Sequence, residues 1–335
     1  MIATLGEGHT PLVPSVTAPA LSFKLENCNP SGSYKDRFVA AEVTHLLSVG
    51  ARACIATSSG NTGAALSAYC ARYRIRAVIL VNQDAPAGKL TQMQAHGAQV
   101  LRIPQFASNP DVTTAVFDTL REFSSEHAVP LVVSAYRYCP EGMRGVESLA
   151  QEFDAPDHLF VPVGSGGLYA ALVQGFAGRP GPMPRVHAVQ PAGCLTLVAS
   201  AQRGDDEIHP VLSTTNISGL SVPMDIDASL ALGLLREYHG TGISVTDDQV
   251  FSAQQYLLER EGIYAEPAGA AAFAGWRQAV DQGLVRPGET SICLVTGHGF
   301  KDPAAEQAAA QRHPDLTVDA PDIAQALRQI VSDTH

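Results

Sequence analysis

The chain has 335 residues, of which 45% are hydrophobic and 16% charged, a balance typical of a compact globular protein that has room for two domains. Its formal net charge of −11 argues against nucleic acid or an anionic membrane as a partner, because phosphate surfaces are bound by clustered Lys and Arg. No apolar run approaches the ~20 residues of a membrane span. Residues 1–7 contain no basic segment followed by an apolar one, so we expect a cytoplasmic protein without a secretory signal.

Short apolar runs rich in β-branched residues alternate with longer alanine-rich stretches along most of the chain. This alternation predicts an α/β fold with two open, largely parallel twisted sheets flanked by helices. The predicted strands cover residues 53–57, 77–81, 99–103, 131–134, 159–163, 185–190 and 291–295. Helices are predicted between them, including residues 64–72 and 168–176, and a closing amphipathic helix is predicted over residues 320–331.

A single lysine, Lys35, stands among turn-forming and hydroxyl residues in the segment 29–37, NPSGSYKDR. Lysine amines become nucleophiles when their pKa is lowered, and their best-known use is a Schiff base with an aldehyde cofactor such as pyridoxal phosphate. Taken alone, a lysine flanked by Asp36 and Arg37 is more typical of a solvated surface charge. The function of Lys35 therefore has to be judged together with the rest of the chain.

Two predicted strands end in glycine- and serine-rich turns that open helices. The turn 164–167, GSGG, would present backbone N–H groups at a helix N-terminus, which suits a phosphate dianion, although a plain strand–helix turn has the same pattern. The turn 57–63, TSSGNTG, adds hydroxyls and an amide that suit a carboxylate. A serine that only caps the helix is the alternative there.

With the lysine segment, these turns resemble the fold-type II pyridoxal-phosphate enzymes (the tryptophan synthase β-like superfamily), and most closely the short-form threonine synthases. Three further segments carry the resemblance, which spans residues 5 to 305: LGEGHTPL at 5–12, EGIYAEPAGAA at 261–271 and TGHGFKDP at 296–303. It implies pyridoxal 5′-phosphate bound to Lys35, which would also move protons during catalysis. The other residues implied at the cofactor are Asn61 at its phenolic oxygen, Gly164, Ser165, Gly166 and Gly167 at its phosphate, and Thr296 at its pyridine nitrogen. Those implied at the substrate are Ser58, Ser59, Thr62, Ser134 and Arg137.

The activity that the resemblance implies is a lyase reaction in which phosphate is eliminated from O-phosphohomoserine and water adds at Cβ to give L-threonine. Thr296 would place a neutral hydroxyl rather than an aspartate at the pyridine nitrogen, which favours elimination over transamination. Two departures concern the substrate phosphate. Many short-form threonine synthases have asparagine in the loop that corresponds to 164–167, and the segment 134–140, SAYRYCP, lacks the usual asparagine and arginine. Arg137 would replace that arginine from a shifted position, whereas Tyr136 and Tyr138 would equally line a pocket for another side chain.

Two other functions therefore stay open. One is dehydration of serine or threonine, or β-replacement on an activated serine such as O-phosphoserine. The other is a non-catalytic regulator that binds the cofactor, against which the intact Lys35 and glycine turn argue. For domains, the resemblance implies a smaller, mobile unit at residues 41–145 inserted into a larger one at 1–40 and 146–335, with the site in the cleft between them. It also implies a homodimer.

Three smaller expectations concern individual side chains. Glu266 is expected in a first helical turn that lines the site, and His298 is a weak cofactor-site candidate. Lys301 and Asp302 are expected to form a solvated pair. The six cysteines contain no Cys-x-x-Cys pair, so we expect no metal site, and we expect Cys54 and Cys293 in buried strands.

Overall fold

The computed structural model describes residues 1–85, 87–106, 109–312 and 315–332. The strands are β1 (Leu12–Pro14), β2 (Leu21–Leu25), β3 (Ala53–Thr57), β4 (Arg76–Asn82), β5 (Gln99–Ile103), β6 (Leu131–Val132), β7 (His158–Pro162), β8 (Arg185–Pro191), β9 (Thr241–Val245) and β10 (Ser291–Val295). The α-helices are α1 (Lys35–Ser48), α2 (Asn61–Tyr73), α3 (Ala87–Ala95), α4 (Pro110–His127), α5 (Pro140–Glu147), α6 (Gly167–Ala177), α7 (Leu197–Arg203), α8 (Ala228–Glu237), α9 (Asp247–Arg260), α10 (Pro267–Asp281), α11 (Pro303–Ala310) and α12 (Ile323–Ser332).

The strands form two sheets. One has six strands in the order β1-β2-β10-β7-β8-β9, and the other has four in the order β5-β4-β3-β6. Every neighbouring pair is parallel except β1 with β2. Strands β7 and β10 are buried along their whole length, as expected for parallel strands covered by helices on both faces. The predicted α/β fold with two largely parallel sheets is confirmed, whereas the division into domains at residues 41 and 145 stays a prediction.

The predicted strands agree with the structure to different extents. Strands β3, β5 and β10 have the predicted bounds, but the run 131–134 is a strand only over Leu131–Val132. Strands β1, β2 and β9 were not predicted, and the sequence of β9, TGISV, contains a glycine, a residue that weakens a strand pattern. That glycine, Gly242, packs directly against Val198. The predicted closing helix is present as a short 3-10 turn followed by α12.

Helix α1, which begins at Lys35, is fixed from two sides. Glycines let α5 approach it closely, because a Cβ at Gly142 would lie 2.5 Å from the Phe38 ring. The Arg37 guanidinium is buried between two carboxylates and lies 2.6 Å from Glu26 and 2.6 Å from Glu152. Burial by itself would raise the pKa of Glu152, but hydrogen bonds from Arg37 and Lys24 lower it to about 2. Arg37 is therefore an anchor for the start of α1.

No α-helix within the described ranges is long and apolar enough to cross a membrane. Cys54 and Cys293 are buried in β3 and β10, as predicted.

Candidate active site

The candidate site lies where strands of both sheets end. Strands β3, β6, β7 and β10 are each followed within two or three residues by one of the predicted site segments. Clefts at the carboxyl ends of parallel strands are the usual ligand sites of open α/β sheets. The structure thus places segments from four distant parts of the sequence at equivalent ends of their strands.

Lys35 is brought next to Thr296 by backbone pairing. The Tyr34 amide donates to the Thr296 carbonyl at 3.0 Å, and Ser33 and Gly297 form an isolated antiparallel bridge. The His298 amide in turn donates to the Gly32 carbonyl at 2.9 Å. The lysine segment and the segment after β10 therefore form one continuous wall of the site.

The Lys35 amine has two close contacts. Its Nζ donates to the Ser134 hydroxyl at 2.8 Å and lies 4.4 Å from the centroid of the Tyr34 ring, in cation–π geometry. Lys35 and Ser134 are 99 residues apart in the sequence. The two contacts hold the amine in a defined direction at the end of the cleft.

The glycine turn 164–167 needs its glycines for close packing. Gly166 has φ +99°, and a Cβ there would lie 2.7 Å from the Asp227 carbonyl oxygen. A Cβ at Gly164 would lie 3.1 Å from the Gly219 carbonyl oxygen. Gly166 precedes α6 and has no side chain with which to cap it, so the first-turn N–H groups point out of the helix at its positive end. Such a cradle fits a phosphate dianion.

In the turn between β3 and α2, Ser58 lies two residues before Gly60, the N-cap of the helix. Its hydroxyl accepts hydrogen bonds from the Gly63 amide at 3.1 Å and from the Gly60 amide at 3.3 Å. Ser59 is exposed and Thr62 is partly buried in the first turn. These are the hydrogen bonds of the capping alternative considered from the sequence, and the roles of Ser58, Ser59 and Thr62 toward a substrate stay predictions.

Asn61, the first residue of α2, contacts Glu266. Its Nδ2 donates to Glu266 Oε1 at 2.7 Å, and the Glu266 amide donates to the Gly297 carbonyl at 3.0 Å. Glu266 is only 8% exposed. Its carboxylate orients the Asn61 amide, and its expected position lining the site stays a prediction.

The residues after Gly297 differ from the expectation. The His298 ring packs against Tyr264 and Phe300, and burial lowers its pKa, which favours the neutral imidazole. The expected solvated pair of Lys301 and Asp302 is wrong. Lys301 Nζ donates to Gln92 Oε1 at 2.5 Å, and Asp302 accepts the Ala305 amide at the start of α11. Both side chains are used in packing because the chain turns back onto α3 after β10.

Arg137 and its neighbours are held through their backbone. The Asp227 carboxylate accepts the amides of Tyr136 at 2.8 Å and Arg137 at 3.3 Å, while the Arg137 side chain is exposed. The contact of Asp227 with this segment was not predicted from the sequence, because an aspartate directly before a helix is usually its N-cap. Its side chain makes no cap hydrogen bond to α8.

Comparison with known proteins decides the family. The model of the family described as "Pyridoxal-phosphate dependent enzyme" matches residues 3–297. The chain belongs to this family. As a pyridoxal-phosphate dependent enzyme, it is similar to the threonine synthase of Methanosarcina acetivorans, with 35% identity over 90% of this chain and 76% of the relative. It is also similar to the threonine synthase of Synechocystis sp., with 34% identity over 95% and 85% of the two chains.

Solved structures agree on the fold of this pyridoxal-phosphate dependent enzyme. The processed form of threonine deaminase isoform 2 from Solanum lycopersicum superposes with a TM-score of 0.75, covering 91% of this chain and 83% of that one. At 19% identity, this similarity bears on the fold alone. The family match and the threonine synthase relatives confirm the predicted cofactor and the predicted resemblance.

The residues present fit the cofactor. A lysine amine is held by a serine hydroxyl, a side-chain amide is oriented by a carboxylate, and a glycine cradle opens a helix N-terminus. These are the groups that an aldehyde, a phenolic oxygen and a phosphate require.

Proposed function

We propose that this enzyme eliminates phosphate from O-phosphohomoserine and adds water at Cβ to give L-threonine. The observation that carries the proposal is the contact of Lys35 Nζ with Ser134 Oγ beside Thr296, in a chain 35% identical to a threonine synthase. A fixed amine next to a neutral hydroxyl residue suits proton transfer at adjacent carbons better than it suits transamination.

In this proposal Lys35 would hold pyridoxal phosphate covalently, the amides of 164–167 its phosphate, Asn61 its phenolic oxygen and Thr296 its ring nitrogen. When bound, the cofactor withdraws electrons from the substrate and so acidifies the protons on Cα and then Cβ. The Ser134 hydroxyl holds the Lys35 amine, which removes and returns these protons.

The remaining residues would bind and orient the substrate. The N-terminus of α2, with Ser59 and Thr62, offers N–H groups and hydroxyls to the substrate carboxylate. The exposed Arg137 guanidinium is the cation of the 134–137 segment and would take the substrate phosphate, as it can bind two phosphate oxygens at once. Water then adds at Cβ after the phosphate has left Cγ.

A second candidate is dehydration of serine or threonine, or β-replacement on an activated serine such as O-phosphoserine. It is favoured by one observation: the segment 134–137 is fixed through its backbone amides, and the side chain of Arg137, the cation of this segment, is exposed. A substrate with a hydroxyl in place of the phosphate needs no such cation.

The test is an assay of the purified protein with O-phosphohomoserine, O-phosphoserine, threonine and serine, in which phosphate, threonine and oxo acid are each measured. Phosphate release with threonine formed from O-phosphohomoserine supports the first candidate. Oxo acid from serine or threonine, or β-elimination from O-phosphoserine alone, supports the second. In either case Lys35→Ala must abolish turnover, and residual catalysis by that variant would refute the proposed role of the lysine.

A further inference from the structure

Asp227 joins two segments of the candidate site that are distant in sequence. Its carboxylate accepts the amides of Tyr136 and Arg137, and its own amide donates to the Ser165 carbonyl at 3.0 Å. Asp227 is 3% exposed. One buried residue thus bonds both the segment that carries Ser134 and the glycine turn 164–167.

The packing around Asp227 is close. A Cβ at Gly167 would lie 2.8 Å from Asp227 Oδ2, and one at Gly166 would lie 2.7 Å from its carbonyl oxygen. The glycine turn therefore rests directly on this residue. A displacement of Asp227 would therefore also displace the turn, because close-packed protein interiors have low compressibility and transmit strain.

Burial of the Asp227 carboxylate costs free energy, because the charged group loses its contact with water. Burial raises the pKa of Asp227, and the two backbone hydrogen bonds and the nearby charge of Lys35 only partly oppose this. Helix capping does not explain the cost, since Asp225 rather than Asp227 accepts the Ser229 amide in the first turn of α8, at 3.0 Å. The partners of the Asp227 carboxylate are the backbone amides of the segment that leads back to Ser134.

We propose that Asp227 is a positioning residue that fixes the Ser134 hydroxyl, and through it the Lys35 amine, relative to the glycine turn. The contacts run from the carboxylate to the amides of 136 and 137, then to Ser134 and from its Oγ to Lys35 Nζ. The carboxylate thereby sets the distance between the amine and the turn. The inference rests on the proposed role of Lys35 and of the turn in holding the cofactor, and it is independent of which amino acid is the substrate.

The test is the rate at which pyridoxal phosphate becomes covalently attached to Lys35 when the cofactor is in excess and no amino acid is present. The protein is first freed of cofactor, and attachment is trapped with borohydride and quantified by mass spectrometry of the Lys35 peptide. Asp227→Asn keeps the size of the side chain but replaces one acceptor oxygen by a donor that faces a backbone N–H. We expect attachment to slow at least about tenfold. Asp118→Asn removes the same charge at an exposed position of α4 and should stay within about twofold of the wild type.

A double-mutant cycle with Ser134→Ala separates positioning from general damage. If Asp227 acts through Ser134, the double variant attaches the cofactor no more slowly than Ser134→Ala alone. Unchanged attachment in Asp227→Asn, or effects of the two substitutions that multiply, would overturn the inference. If Asp227→Asn does not fold, Asp227→Glu takes its place in the cycle, because it keeps both acceptors and shifts them by one methylene. Since no substrate is used, a negative result in the threonine assay leaves this test intact.

Discussion

The side-chain amide of Asn61 donates to the Glu266 carboxylate at 2.7 Å across 205 residues of sequence. Asn61 opens α2, directly after a strand of the four-stranded sheet, whereas Glu266 precedes α10, which packs against the six-stranded sheet. The bond therefore connects the two sheets at the candidate site. It uses one of the two amide hydrogens of Asn61, so the other is left for the cofactor's phenolic oxygen in the arrangement that we propose.

The close approach of Gly297 to Glu266 gives a first prediction. A Cβ at Gly297 would overlap the Glu266 carboxylate, so Gly297→Ala must displace Glu266 and strain its bond to Asn61. We expect a loss of about 2 kcal/mol in the free energy of unfolding, measured by urea denaturation. The matched control is Gly233→Ala in α8, where a Cβ meets no atom within 4 Å. Equal losses in the two variants would contradict the packing described.

Neighbouring serines in the β3–α2 turn should separate stability from substrate binding. Ser58→Ala removes the acceptor for the Gly60 and Gly63 amides and should cost about 1 kcal/mol in the free energy of unfolding. Ser59→Ala should leave stability near that of the wild type, because the side chain is exposed, and should raise KM for the substrate. Thermal unfolding and steady-state kinetics of both variants check this. The prediction is wrong if Ser59→Ala destabilises the protein as much as Ser58→Ala.

Substitution of Arg137 distinguishes the two candidate functions, because only the first requires a cation for the substrate phosphate. If its guanidinium binds the substrate phosphate, Arg137→Ala should raise KM for O-phosphohomoserine by about tenfold or more, the effect of losing a hydrogen bond to a charged group. Arg144→Ala is the control, since Arg144 forms an exposed ion pair with Glu141 on the outside of α5, and such pairs contribute little. Unchanged kinetics with O-phosphohomoserine in Arg137→Ala would favour the dehydratase or β-replacement candidate.

A buried histidine pair near the N-terminal ends of β7 and β8 should make stability depend on pH. His158 Nδ1 and His187 Nε2 are 2.9 Å apart, and His187 is 1% exposed. Burial, with the nearby charges of His158 and Arg185, lowers the pKa of His187 to about 3 from a usual value of 6.5. Between these two values the unfolded chain binds a proton that the folded protein does not. The stability contributed by the neutral ring is therefore complete above about pH 6.5 and falls as the pH is lowered toward 3.

Urea unfolding of the wild type and of His187→Gln at pH 7, 6 and 5 measures this effect. The wild type should lose more stability on acidification than the variant, with a difference in slope of at most about 1.4 kcal/mol per pH unit. His127→Gln, at an exposed position near the end of α4, serves as the control and should keep the slope of the wild type. Parallel curves for all three proteins would rule out His187 as the source.

Local patterns were enough to predict much of the fold. The alternation of apolar runs and helical stretches predicted the α/β class, and three strands have the predicted bounds. These local patterns succeed where a strand has a sequence signal of its own, such as β-branched residues bounded by glycine. They missed β1, β2 and β9, and in β9 Gly242 is required by contact with Val198, a residue more than forty positions away in the sequence.

By itself, the amino-acid sequence determined the family, the cofactor and the candidate lysine, because strand–glycine–helix turns and the segment around Lys35 are encoded by consecutive residues. Only the tertiary structure decided which side chains meet: Ser134 with Lys35, Glu266 with Asn61, Lys301 with Gln92, and Asp227 with the amides of Tyr136 and Arg137. An aspartate before a helix, or a lysine beside an aspartate, has the same local sequence whether it is solvated or buried. The partner is chosen by packing between distant segments, which no local pattern contains.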